Sequence, residues 1–199
     1  MAKRKRNSTT SPHKPRESNN SLCTAISKCT KAELVDLVLE LAEADRRLLR
    51  QITARFDVAR APSELVAATH QAIVDATAFD KREINRNFNY DYAAYEEVKR
   101  NFGRLIGAGQ LLQVMELSLE LMKRGSYQVE MSDEGLMTQD IEDCLSVVLE
   151  SLRNCDLPAL KVIEWCSAML RSDRSGFIAT NQLHSLRKAS AMRSDPDDC

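Results

Sequence analysis

Glycine and aromatic side chains are scarce in this 199-residue chain, which has six glycines, one tryptophan and an aromatic share of 5%. No Asn-Gly pair and no sustained apolar/polar alternation marks a β-hairpin, so the punctuation of a β fold is missing and helices are expected. No apolar run approaches the ~18 residues of a membrane helix, and the start carries no apolar signal stretch. The reading is therefore a cytoplasmic chain that does not enter a membrane. Among the three histidines, His13, His70 and His184, no two lie at a four-residue helical spacing, and no Cys-x-x-Cys pair occurs. Both signatures of a compact metal or redox site are thus absent, and no cofactor is expected. Gly107-Ala108-Gly109-Gln110 lacks the Gly-Lys-Ser/Thr ending of a phosphate loop.

The six cysteines (Cys23, Cys29, Cys144, Cys155, Cys166 and Cys199) are expected to be thiols. Those at 144, 155 and 166 fall among apolar neighbours, where cysteine serves as a small hydrophobe. A Cys166–His184 nucleophile pair is the one catalytic pairing that only folding can test. Charge is unevenly spread. Residues 1–22 carry six Lys or Arg against one acid, and the remainder has 22 basic and 28 acidic residues, so the body is acidic and the tail basic. Residues 1–22 hold almost nothing apolar and read as a disordered basic tail. Its run Lys3, Arg4, Lys5 and Arg6 suits nucleic acid or another anionic surface.

A helical domain is expected over 30–192, with a loose end at 193–199. Thr30 and Glu33 have the spacing of a capping box, and Leu34, Leu37, Val38 and Leu41 follow at intervals of three and four, with a break near Asp45. Ser63 is expected to cap a helix along Leu65 or Val66, Thr69, Ile73 and Ala76 to about Phe79. A polar connector pinned by Ile84 and Phe88 leads to a helix from Asp91, with a stripe at Tyr92, Tyr95, Val98, Phe102 and Leu105. The glycines at 107 and 109 stop it. Residues 110–123 are apolar over more than one stripe and need cover on several sides. After Gly125, a helix capped by Ser132 or Asp133 follows the line Met137, Ile141, Cys144, Leu145, Val148. Asp156 is expected to cap the next, which runs to Leu170, and a last helix spans Ile178 to Ala191. The fold class is all-α, a stack of antiparallel helical hairpins of tetratricopeptide-like or irregular solenoid and bundle type.

Two segments, "KAELVDLVLELAEADRRLLRQI" and "QAIVDATAFD" with the later "FNYDYAAYEEVKRNFGRLIGAGQLLQVMELSLELM", resemble the helical region that accompanies bacterial SWIM-type zinc finger proteins, over roughly residues 30–155. The zinc-binding C-x-C and C-x-H of the finger are absent, so neither zinc nor the finger's nucleic-acid role is implied. The resemblance implies a scaffold for protein interaction and no assigned activity.

The most suggestive stretch is "GSYQVEMSDEGLMTQDIEDC", residues 125–144, with six carboxylates around Gly135. As a calcium loop it fails, because Ile141 stands where a bidentate Glu is needed. Asp133, Glu134 and Asp140 suit a helix entrance, with Glu142 and Asp143 on its solvated side. Glu130, Asp133 and Glu134 remain as a surface for a basic protein partner. The clustered Phe88, Tyr90, Tyr92 and Tyr95 are read as core packing with phenols reaching water, since the nearby acids would repel a phosphate backbone. No reaction can be read from the chain. A non-catalytic scaffold is the leading expectation, with a nucleic-acid-associated protein using the tail, and an enzyme assembled only by folding, as the other classes.

Overall fold

The computed structural model describes residues 22–56, 61–87 and 90–194. The basic run at 3–6 and the expected anchor Phe88 lie outside these residues. All regular structure among them is helical. The chain divides into two compact units, with the boundary between Leu49 and Arg50.

The first unit holds a helical turn at 22–26 and α1 (Lys31–Ala44). Both arms of the capping box form: the Glu33 amide donates to Thr30 Oγ1 at 3.3 Å, and the Thr30 amide donates to Glu33 Oε2 at 2.7 Å. The bonds that its carboxylate accepts from the Thr30 amide and the Thr30 hydroxyl hold Glu33 below its ordinary value. At Asp45 the backbone becomes extended, with φ −129° and ψ 107°. The Asp45 amide closes α1 on the Leu41 carbonyl, while its carboxylate accepts from the Arg47 amide at 2.8 Å and caps α2 (Arg46–Phe56). One aspartate thus ends one helix and starts the next, as a short acceptor side chain can. Only Ala42 of α1 is buried; Val35, Leu37, Val38, Leu39 and Leu41 are 40–56% exposed.

The second unit starts with the later turns of α2. Helix α3 (Pro62–Ala76) buries Leu65, Thr69, Ala72, Ile73 and Ala76, the expected line. Its cap differs from expectation: Ala61 occupies the N-cap without a side-chain bond, and Pro62 sets the first turn, where its missing donor is harmless. The connector contains a short turn, α4 (Ile84–Asn87), anchored by Ile84 at 4% exposure. Helix α5 (Tyr92–Gly107) starts on Asp91, whose Oδ1 accepts from the Ala94 amide at 3.1 Å. Tyr92 stands outside the buried stripe at 55% exposure.

Helix α6 (Leu111–Met131) runs straight through Gly125, where the sequence suggests a stop. That glycine is a contact. A Cβ there would lie 2.8 Å from Ile141 Cδ1, so its bareness lets α7 (Thr138–Arg153) approach. The helix entrance expected at Ser132 or Asp133 lies at Thr138, with Met137 as an N-cap lacking a side-chain bond. Helix α8 (Ala159–Ser172) follows; Pro158 takes the N-cap, and Asp156 makes no cap. Helix α9 (Thr180–Ser194) closes the described chain and packs on α8. Helix α6 is covered by α3, α5, α7 and α8, as its broad apolar surface requires. Trp165 on α8 is 6% exposed and donates its indole N–H to the Met115 carbonyl of α6 at 2.9 Å.

Candidate functional site

The acidic stretch lines a concavity. The turn between α6 and α7 faces the turn between α8 and α9, and Glu130, Asp133, Glu134, Arg174 and Phe177 share one hollow of about 660 Å³. Its shape follows from local chemistry. Gly135 takes φ +56°, a left-handed conformation open to glycine. Its amide donates to Ser132 Oγ at 3.1 Å, and its carbonyl accepts from Thr138 Oγ1 at 2.7 Å. The Asp133 amide donates to Asn85 Oδ1 at 3.0 Å, fixing the turn to α4. Opposite, the Asp173 carboxylate gathers the Ser175 amide, the Ser175 hydroxyl and the Ile178 amide at 2.7–3.0 Å.

Charge is divided unequally within this hollow. Glu130 pairs with Arg174 at 2.5 Å, and that guanidinium also lies 4.5 Å from the ring centre of Tyr127. Asp133 and Glu134 are exposed, and their carboxylates have no partner among the described residues. Phe177 is uncovered at 56% exposure. The three residues singled out from sequence therefore meet in one place, beside an aromatic ring that the sequence did not single out.

Asp140 lies in the first turn of α7, at a helix entrance as expected, and it is also a fastener, as are Glu142 and Asp143, which corrects the solvated side assigned to those two. Asp140 accepts from the Tyr90 hydroxyl at 2.7 Å, Glu142 from the Ala179 amide at 2.9 Å, and Asp143 from Lys99 Nζ at 2.9 Å. Burial raises the Asp140 carboxyl above its usual range, against the Tyr90 bond; the Lys99 and Gln139 bonds lower Asp143. Burial, with Asp140 beside it, pushes Tyr90 up to about 12. Tyr95 is enclosed and donates to Gln128 Oε1 at 2.6 Å, so the phenols of Tyr90 and Tyr95 find protein acceptors.

The nucleophile pairing does not form. Cys166 is fully buried and its thiol is pushed up to about 11 by that burial, while His184 is exposed and hydrogen-bonded to Arg187. Burial likewise raises Cys144. Such thiols stay protonated and are poor nucleophiles. Among the described residues no group of three His, Cys, Asp or Glu is placed to hold a metal. No described helix is long and apolar enough to cross a membrane.

Sequence reading missed Arg50. This guanidinium, 8% exposed, reaches Asp75 at 2.6 Å, Asp91 at 2.5 Å and Glu97 at 3.1 Å. Burial works against its charge, but the bonds and charges of Asp91 and Asp75 outweigh it and hold Arg50 above its ordinary value. One buried guanidinium thus ties together carboxylates from α3, α5 and the residue that caps α5. Asp75, near the end of α3, is one wall of that knot. The usable sequence signal was an arginine between Leu49 and Ile52 on a helix of otherwise apolar spacing. No family model, curated protein or solved structure matches the chain.

Proposed function

We propose that the chain is a non-catalytic helical scaffold that binds another protein through the hollow between the α6–α7 and α8–α9 turns. The observation that carries this reading is the meeting of the partnerless Asp133 and Glu134 carboxylates with the uncovered Phe177 ring in one concavity. Its chemistry suits a segment that places Lys or Arg beside an apolar side chain: the ring supplies area to desolvate, and the carboxylates set register and encounter rate. The thiols of Cys144 and Cys166, buried and held protonated, are not poised as nucleophiles. The resemblance of residues 30–155 to the helical region accompanying SWIM-type zinc fingers supports the scaffold reading, and a cytoplasmic setting goes with it.

Peptide display against the full chain tests this. Enriched peptides should pair a basic residue with an aromatic or aliphatic one, and the double variant Asp133→Asn/Glu134→Gln should weaken binding about three- to tenfold. Phe177→Ala should weaken it further. Selection of peptides without basic residues, or equal binding by all variants, contradicts the proposal. Salt-sensitive retention of DNA or RNA that vanishes on deleting residues 1–21, with no peptide selected, would move the function to the basic tail.

A further inference from the structure

A second concavity, of about 630 Å³, lies between α8 and α9 and is lined by Ile163, Ser167, His184, Arg187, Lys188 and Ala191. None of these side chains is acidic, and α9 contains no Asp or Glu at all. The usual reasons for basic residues on a helix do not account for this face. The positions three and four away from Arg187 and Lys188 hold Leu183, His184, Ser185, Ser190, Ala191 and Met192, so no intrahelical ion pair is available. Neither residue is in the last turn, where Arg193 complements the helix dipole. No carboxylate partner of Arg187 or Lys188 exists among the described residues.

Arg187 Nη2 instead lies 3.3 Å from His184 Nδ1. A guanidinium only donates, so Nδ1 accepts and the ring proton sits on Nε2. That contact holds the guanidinium beside an imidazole N–H and the Lys188 ammonium, three donors on one wall. Ser167 gives its proton to the Ile163 carbonyl at 2.8 Å and adds none.

We propose that this concavity is an anion site for a phosphorylated small molecule, with Arg187 and Lys188 holding the phosphate and His184 positioning Arg187. Planar guanidinium and ammonium together match phosphate oxygens. The hollow is in the volume range of whole small ligands, so the phosphate arrives attached to a larger group. One compact trio, without the extended basic track or stacking rings of a strand-binding surface, favours this ligand over nucleic acid.

Titration of the full chain with inorganic phosphate and with phenyl phosphate, followed by backbone amide resonances, tests the site. Saturable shifts should centre on residues 163–167 and 184–191, with phenyl phosphate binding more tightly. Arg187→Ala should weaken binding about tenfold or more, Arg187→Lys less, and Arg193→Ala not at all. Lys188→Ala gives a second variant should Arg187→Ala disturb the helix. No saturable binding of either probe, or equal loss in Arg193→Ala, overturns the proposal. Tighter binding of a single-stranded oligonucleotide or a phosphoserine peptide than of phenyl phosphate overturns the small-molecule assignment.

Discussion

Helix α1 places four leucines and two valines within residues 34–41, and α6 places five leucines within residues 111–121. In α6 Leu117 and Leu121, with Val114 and Met122, are 7% exposed or less under four neighbouring helices, Leu111 and Leu119 are half-buried and Leu112 alone of the five is exposed. In α1 Val35, Leu37, Val38, Leu39 and Leu41 stand 40–56% exposed, Leu34 is half-buried and only Ala42 is buried. Leucine content states a helix's demand for neighbours, and supply comes from the rest of the chain. The terms seen to hold α1 helical include the Thr30–Glu33 box and the Asp45 stop, and a 14-residue helix is marginal on local terms.

The largest test of this contrast is a matched pair of truncations. Leu121→Ala should cost about 3 kcal/mol in denaturant unfolding, since it opens a cavity in a closed core. Leu39→Ala should stay within about 0.5 kcal/mol, as at other exposed positions. Similar costs for both would show that α1 is covered in solution.

That test also separates what is legible in the sequence from what is not. The capping box, the Asp45 break, the helix start at Asp91 and the buried line through Thr69, Ile73 and Ala76 all depend on neighbours within one or two turns, and the structure reproduces them. Gly125 was misread because glycine signals a stop locally, whereas its reason is Ile141, a residue on another helix. Glu142 and Asp143 read as solvated for the same reason: their partners Ala179 and Lys99 lie 37 and 44 positions away. The site was half legible. Its acids were visible as a cluster, but Phe177 enters only when the α8–α9 turn folds against them.

A smaller effect sharpens the contrast by adding volume instead of removing it. Gly125→Val should destabilise by about 2 kcal/mol, because the new methyls meet the enclosed Ile141 side chain. Ile141→Val in the same chain should return part of that loss, a coupling readable in a double-mutant cycle. Ala44→Leu, an addition to α1, should change stability little.

The smallest effect concerns alkali. Tyr90 is held protonated up to about 12 in the fold, against an ordinary value near 10.0. Its contribution is complete below the ordinary value, declines as the unfolded chain ionises first, and is gone once pH passes the folded value. The wild type should therefore lose slightly more stability than Tyr90→Phe across that window in pH-dependent unfolding. Identical profiles would remove Tyr90 as a source of alkaline sensitivity. Helix α1 has no phenol and should not share the response.

The lone tryptophan has a practical consequence. Trp165 sits in the seam of α6 and α8, bonded to the Met115 carbonyl, so intrinsic fluorescence reports that seam. Circular dichroism weighs every helix alike. When both signals are recorded along one melt, an optical gap between the two curves becomes a direct gauge of how far α1 comes apart ahead of the core, without any label or substitution.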